Sequence, residues 1–520
     1  MKKLNEVSDN EELLRILLNL KKSKEIMRLG KIFVTSENTY FYDTGTGKVL
    51  LLEGKIKELF NILFSENDDC QFSDVILNGD MLEAIGELRQ VIKEENILLA
   101  FPITKLYSPN HYENLEYSIN NKLYQLILEL TGRCNLRCGY CIYNEHYVNS
   151  RNFNDEDMTL EVAKAAIDYA NEHSDKDIAI TFYGGEPLLR FDLLKWCIEY
   201  CQKVLKNKKV TYSFTTNLTL VTKEKAQYLA TIKDLSVLCS LDGPEDVHNE
   251  YRKYLGGKGS FQDAMRGLKL LVDAFKGTKN KVSINGVFTP PYTYEKLNHI
   301  YGFYNNIDWL PKDSSISTEY ATNGSVDDEE YIDEIKADPN YQTNGLDSID
   351  PLIDWKRQFI KGKEKLEECT QINDINGVLL NIHKRMIFNE PKKFYPFNSC
   401  CIPGARRLYV DTKGKFYVCE RIGTSPSIGN VFDGVDIERV KKYYVNDFSN
   451  ESISECSKCW GIRLCSRCYV GCYTEDCIDK NIKDNCLGYR ANIERSLVLY
   501  HSILEENPEK LDYLNSIELY

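Results

Sequence analysis

No run of about 18 apolar residues occurs in the chain, so no membrane-spanning helix is expected. Positive charge is also short: 65 Lys and Arg face 78 Asp and Glu, and the net charge is −13. Nucleic-acid binding relies on basic side chains to displace counterions, so no nucleic-acid partner is expected. Plain solubility accounts for the acidity. The opening, MKKLNEVSDNEELLRILLNLKKSKE, lacks the unbroken apolar stretch of a secretory signal. Internal repeats and low-complexity segments are missing too, so a repeat array is not expected. At 520 residues and 42% hydrophobic, two to four domains are expected. Cysteine is what the chain has in excess, with 18 residues. Without an export signal the expected compartment is the cytoplasm, where so many thiols point to metal or redox chemistry rather than a disulfide framework.

Four regions separate along the chain. Residues 1–105 hold KIFVTSENTYFYDTGTGKVLLLEG, in which β-type residues alternate with turns. KIKELFNILF and DMLEAIGELRQVIKEE follow at helical spacing. Two or three short strands and then two helices predict a winged-helix-like unit. Residues 120–320 alternate apolar strands (YQLILEL, DIAITFY, VTYSFTT, LSVLCSL and KVSINGVF) with helices such as TLEVAKAAIDYANEH and FQDAMRGLKLLVDAFK. Such strand–helix units predict a parallel sheet covered by helices, and five or six of them a partly closed barrel. Residues 321–395 open on acidic SVDDEEYIDEIKADPN and read as a solvated bridging insertion. Residues 396–520 hold ten of the cysteines and end in a helical tail.

The stretch LTGRCNLRCGYCIYNEHY places Cys134, Cys138 and Cys141 directly after the first strand of the second region. Parallel α/β sheets carry their chemistry on loops at strand C-termini, so a site belongs there. Three thiolates suit a four-iron cluster with one iron free of protein ligands. Zinc is the alternative, with His146 as a fourth ligand. FYGGEPLL puts Gly184, Gly185 and Glu186 after the second strand. Glycines there permit close backbone approach, and a carboxylate suits an ammonium group. SLDGPEDVHNEYRKY follows the fourth strand and supplies Ser240 and, twelve residues on, Arg252. Thr215 to Asn217 end the third strand and line the same cavity, and Asp242 is expected to cap the turn before Gly243.

CNLRCGYC, with an aromatic before its third cysteine, resembles the Cys-x3-Cys-x2-Cys signature of radical SAM enzymes. FYGGEPLL resembles that family's GGEP motif. The resemblance implies a [4Fe-4S] cluster on Cys134, Cys138 and Cys141, whose open iron chelates S-adenosylmethionine. It implies that Tyr140 lies beside the adenine and that Gly184, Gly185 and Glu186 meet the methionine amino group. It further implies that Ser240 contacts the ribose or methionine end and that Arg252 binds the methionine carboxylate.

Cys401, twelve residues, Gly414, four residues and Cys419 resemble the opening of a SPASM domain. CSKCWGIRLCSRCYVGC continues it with Cys456, Cys459, Cys465, Cys468 and Cys472, ahead of Cys477 and Cys486, one cysteine richer than the usual pattern. The resemblance implies two auxiliary [4Fe-4S] clusters. Cys401, Cys419 and either Cys468 or Cys472 would hold the first, and Cys456, Cys459, Cys465 and Cys486 the second. Cys400 and Cys477 stay open as further ligands, and zinc ribbons stay open for the paired Cys-x2-Cys runs. Cys70, Cys197, Cys201, Cys239 and Cys369 are scattered and expected to be core or surface thiols.

The expected fold is therefore α/β: a partial (β/α)6 TIM barrel of radical SAM type, with an N-terminal winged-helix-like domain and a C-terminal cysteine-rich SPASM domain. Residues 1–105 resemble the recognition element of ribosomal-peptide maturases, which binds a leader peptide as an added strand; a plain structural extension is the alternative. Together these resemblances imply a thioether-forming maturase of the sactipeptide or ranthipeptide type. In such an enzyme a 5′-deoxyadenosyl radical takes hydrogen from a core-peptide residue, and a peptide cysteine captures the carbon. The surplus electron leaves through the auxiliary clusters. The implied partners are a precursor peptide and an electron donor such as flavodoxin or ferredoxin. A carbon–carbon crosslinking maturase, an anaerobic sulfatase-maturing enzyme and a non-catalytic iron–sulfur carrier are the alternatives.

Overall fold

A computed structural model describes residues 4–65, 79–144, 151–321, 360, 362, 372–397, 399–480, 482 and 486–518. Cys70, His146 and Cys369 lie outside the described residues, as does the whole acidic stretch SVDDEEYIDEIKADPN.

The N-terminal unit starts with a helix rather than a strand. In α1 (Asn10–Lys22), Leu13, Leu14, Leu17 and Leu20 recur at helical spacing and are buried, and the Asp9 carboxylate caps the start by accepting from Glu12 N at 3.1 Å. The strands β1 (Gly30–Val34), β2 (Thr39–Asp43) and β3 (Val49–Leu51) form an antiparallel sheet in that order, followed by α2 (Gly54–Phe64) and α3 (Gly79–Glu95). One sheet face meets these helices through Phe41, whose ring packs against Phe60 and Phe64 of α2 in a core that also holds Leu59 and Ile85. The other carries Phe33 and Tyr42 into a second core, shared with Trp460 and Leu497 near the chain's end.

After α4 (Leu115–Asn121) come six strands: β4 (Gln125–Thr131), β5 (Asp177–Gly184), β6 (Lys209–Thr216), β7 (Leu235–Ser240), β8 (Lys281–Phe288) and β9 (Ile316–Tyr320). They pair in sequence order and all in parallel. The connections are α5 (Leu160–His173), α6 (Phe191–Val204), α7 (Lys223–Ala230), α8 (Glu245–Tyr251) with α9 (Phe261–Phe275), and α10 (Tyr294–Asn305). Three of these helices open on a threonine cap: Thr159, Thr222 and Thr293 each accept from the backbone N–H three residues on. β9 escapes sequence reading because ISTEY has too few apolar residues to stand out.

The sheet has two unlike faces. Burial alternates residue by residue along β5 and β8. Ile180, Phe182, Phe214, Val237 and Ile284 point into the core under the helices. By the same two-residue period, Thr181, Ser213, Ser236, Ser240 and Ser283 lie on the opposite face. A parallel sheet covered on both sides reads as an unbroken apolar run, so this alternation marks a polar face that helices leave uncovered.

The cysteine-rich region is not separate from this sheet. β10 (Leu408–Val410) pairs with β4 in parallel, and β11 (Lys415–Tyr417), β12 (Gly429–Asn430) and β13 (Gly434–Val435) add on antiparallel to give ten strands. Without β10, β4 would present an unpaired edge. Beyond the sheet lie α11 (Ile372–His383), α12 (Phe448–Cys456) and the long α13 (Cys486–Glu506).

Candidate active site

The loop carrying Cys134, Cys138 and Cys141 crosses the end of β4, and β5 ends directly against it. A Cβ on Gly185 would sit 2.1 Å from Arg133 O, and one on Gly184, whose φ is +135°, 2.3 Å from Thr131 O. Only glycine lets the two strand ends approach so closely. Gly185 N donates to Thr131 O and Glu186 N to Arg133 O, both at 2.9 Å. The three thiols pack with Leu136, Tyr140 and Tyr251. Burial pushes the Cys134 thiol up to about 12 and the Cys141 thiol up to about 11. Such thiols lose their protons only to a strongly bound cation.

Glu186 is held by the chain itself at the end of β5. Its carboxylate is buried and accepts from Leu188 N at 3.1 Å, Thr216 Oγ1 at 2.9 Å and Asn217 N at 2.8 Å. These three donors make it a clamp between the ends of β5 and β6, and Oε2, which accepts from Asn217 N alone, keeps room for one further donor. Asn217 completes the clamp: its Nδ2 donates to Asn135 Oδ1 at 2.9 Å and approaches Cys134 Sγ at 3.8 Å.

Tyr140, Asp242 and Arg252 form one buried group. The Tyr140 hydroxyl donates to Asp242 Oδ2, and Arg252 Nη1 donates to that hydroxyl at 2.7 Å. Arg252 also pairs with Asp242 at 3.7 Å, and Asp242 Oδ1 accepts from Val287 N at 3.1 Å. Asp242 is thus a bridge between two expected site residues, beyond the turn-capping role expected of it. Burial pushes its carboxyl up, against the pull of Arg252. Behind the group, Ser260 Oγ donates to Arg252 O at 2.8 Å and lies 3.1 Å from His248 Nε2. Burial, then Arg252, lowers the His248 pKa to about 2 and keeps its ring neutral. Arg252 Nε is buried with no hydrogen-bond partner. Leaving such a donor unmet costs about 1–3 kcal/mol, so it fits a partner from outside the chain, and a guanidinium favours a carboxylate. Ser240 ends β7 on the polar face.

The C-terminal cysteines fall into two groups. Cys456, Cys459, Cys465 and Cys486 line one small pocket together with Glu455, Tyr489 and Arg490. Cys456 ends α12 and Cys486 opens α13, so two helix termini set its walls. Among the described residues no three His, Cys, Asp or Glu side chains are spaced to hold a single metal ion. The four thiols surround a space instead, which suits a cluster. In the second group, burial pushes the Cys419 thiol up to about 12, and the nearby Cys468 adds to the upward shifts of Cys400, Cys401 and Cys419. Cys472 Sγ donates to Cys468 O at 3.2 Å. Cys477 is exposed, in a turn closed by Thr474 N donating to Cys477 O at 2.9 Å. Cys197, Cys201 and Cys239 lie in the core beneath the helices.

The two ends of this arrangement meet at β10. Arg151, ten residues beyond Cys141, lies 4.1 Å from the centre of the Tyr409 ring and donates to the carbonyl of Glu420, next to Cys419. Tyr143 donates to Glu129 Oε1 at 2.9 Å, and the Tyr183 and Tyr409 rings are in edge contact. Sequence reading singled out none of these residues. They come from four separate segments, and pairing of β10 with β4 is what brings them together.

The radical SAM superfamily profile matches residues 128–304, from within β4 to the end of α10. An uncharacterized protein of Methanocaldococcus jannaschii is 39% identical over 316 residues, covering 59% of this chain and 88% of that protein. A cysteine-type anaerobic sulfatase-maturating enzyme of Clostridium novyi is 24% identical over 408 residues, covering 75% of this chain and 97% of that one. Among solved structures, native anSMEcpe with bound AdoMet superposes with a TM-score of 0.52 at 23% identity, covering 76% of this chain and 100% of that chain. At that identity the likeness is one of fold. No helix among the described residues is long and apolar enough to cross a membrane. The matched span, the full-length relatives and the cysteine loop at the end of β4 make this chain a member of the radical SAM superfamily, and an enzyme.

Proposed function

We propose that the enzyme matures a ribosomally made, cysteine-containing precursor peptide and joins cysteine sulfur to carbon in thioether crosslinks. The observation that carries this reading is the polar, uncovered sheet face, bounded by the first cysteine loop and, across Arg151 and Tyr409, by the Cys419 segment. A peptide lying there meets both sets of thiols.

Cys134, Cys138 and Cys141 would hold a [4Fe-4S] cluster, and Arg252, through its unpartnered Nε, the carboxylate of S-adenosylmethionine. When bound, these groups supply a one-electron cleavage of the sulfonium and hence a radical able to take hydrogen from an unactivated carbon. The chain's own part is positional. Glu186 and Asn217 fix the strand ends under the cysteine loop, and Asp242 and Tyr140 hold Arg252 in place. Ser240 and Thr215 line the wall along which the substrate would lie. Cys401, Cys419 and Cys468 or Cys472 would hold one auxiliary [4Fe-4S] cluster, and Cys456, Cys459, Cys465 and Cys486 another. A flavodoxin- or ferredoxin-like donor in the cytoplasm would supply electrons.

The N-terminal unit would bind the leader at β3. Asp43 N donates to Lys48 O and Leu52 N to Thr39 O, so the amides of Val49 and Leu51, between those rungs, point away from β2. An extended peptide can pair with that edge.

Sulfatase maturation is the second reading, favoured by alignment with nearly the whole of the Clostridium novyi enzyme. Anaerobic co-expression with a short cysteine-containing peptide encoded beside the gene, followed by tandem mass spectrometry after thiol alkylation, separates the two. Loss of hydrogen with cysteines that resist alkylation establishes thioethers. Loss of hydrogen with alkylatable cysteines points to carbon–carbon bonds. An unmodified peptide, with a sulfatase-derived peptide converted to its aldehyde instead, establishes the second reading.

A further inference from the structure

Arg467 stands between the two groups of C-terminal cysteines. It is 4% exposed. Its Nη1 lies 3.6 Å from Cys486 Sγ, in the four-cysteine cavity, and its Nη2 lies 3.6 Å from Cys472 Sγ, beside Cys468. A planar guanidinium has fixed N–H directions, so one side chain reaches a thiol of each group at once. Ser399 N donates to Arg467 O at 3.1 Å and anchors the backbone that carries it.

The charge of this residue is the unexplained part. Arginine stays protonated in proteins, and a buried cation needs a counter-charge. Among the described residues no carboxylate forms an ion pair with Arg467; its side-chain hydrogen bonds run to the two sulfurs. Neutral thiols do not balance a cation, whereas thiolates on a cluster of negative net charge do. The fixed charge therefore favours cluster loading. It favours the reduced cluster further still, because the added electron increases the negative charge beside it. Hydrogen bonds and charge at the ligand sulfurs are among the levers that set cluster potentials.

We infer that Arg467 is a positioning residue shared by both auxiliary sites, its single buried charge raising the reduction potentials of the two clusters together. The inference rests on the reading of these thiols as two auxiliary [4Fe-4S] sites.

The test uses the full chain, anaerobically reconstituted, with iron and sulfide counts and redox titration followed by electron paramagnetic resonance. The parent, Arg467→Gln and Arg467→Lys are compared, with S-adenosylmethionine cleavage as a check on the first cluster. In Arg467→Gln both auxiliary couples are expected to move to lower potential, with iron content held, while Arg467→Lys recovers part of the shift. Cleavage of S-adenosylmethionine persists throughout. Loss of iron in Arg467→Gln but not in Arg467→Lys also supports the role of the charge. Unchanged potentials, a shift in one couple alone, or equal iron loss in both variants overturns the inference. A parent that holds iron for the first cluster only overturns the auxiliary-site reading itself, and is seen before any variant is made.

Discussion

Gly185 shows how one missing side chain governs a site. Its Cβ would fall 2.1 Å from Arg133 O and 2.9 Å from Cys134 N, both backbone atoms that cannot swing aside. Gly185→Ala is therefore expected to push the first cysteine loop off the end of β5. Under the proposed ligand assignments it should lose the iron of Cys134, Cys138 and Cys141 and all S-adenosylmethionine cleavage, while iron on the C-terminal cysteines is kept; iron counting beside an assay for 5′-deoxyadenosine checks this. Asp242 governs by charge instead. Asp242→Asn leaves Arg252 buried with a neutral neighbour, and breaking a buried pair in this way destabilises by about 3–5 kcal/mol. The urea midpoint should fall accordingly, and cleavage of S-adenosylmethionine should slow because Tyr140 and Arg252 lose the group that joins them. The sequence places Asp242 beside a glycine turn but cannot show that its carboxylate faces Tyr140, which lies 102 residues away. For the same reason the GGEP motif locates Glu186 without naming its distant partners, Thr216 and Asn217 at the end of β6.

Among the elements, those with a strong period were legible. β4 to β8 show as apolar stretches and the intervening helices as amphipathic ones, so the parallel sheet follows from sequence. β9 and β10 were not legible, because a short polar strand and a three-residue strand gain their identity from the neighbour they pair with. α1 is legible by its period alone, Leu13, Leu14, Leu17 and Leu20 standing at helical spacing, and the basic start of the same segment masks it by resembling the head of an export signal. The edge of β3 offers a test at this scale. Leu51 is 47% exposed and its amide points away from β2. Leu51→Pro removes that donor without breaking a rung of the sheet. Modification of the co-expressed precursor should fall several-fold, while peptide-independent formation of 5′-deoxyadenosine and the melting temperature stay unchanged. Equal modification by parent and variant would remove β3 as the leader site.

The whole molecule is joined at the seam between its first and last segments. Thr35, Asn38 and Tyr40 all donate to Glu505 Oε1 at 2.8 Å, Lys31 pairs with Glu494 at 2.8 Å, and Arg463, from the loop between Cys459 and Cys465, donates to Thr44 O at 2.7 Å. His501 sits in this seam, its ring 5.0 Å from that of Phe33 and 5.1 Å from that of Tyr40, with Nδ1 donating to Leu497 O at 2.8 Å. Burial lowers its pKa from 6.5 to about 4, so the folded chain keeps the ring neutral where the unfolded chain protonates it. Between those two values the unfolded state binds the extra proton. Stability from His501 is therefore complete above pH 6.5 and is lost as pH falls toward 4. One unit below 6.5 the loss is about 1.4 kcal/mol. His501→Gln retains a donor for Leu497 O and cannot titrate. Hydrogen exchange in β1 and α13 should rise between pH 7 and 5.5 in the parent and rise less in the variant, and comparison at each pH removes any contribution from acid-labile iron–sulfur sites. The same exchange profile in both would mean that the seam does not open with this proton.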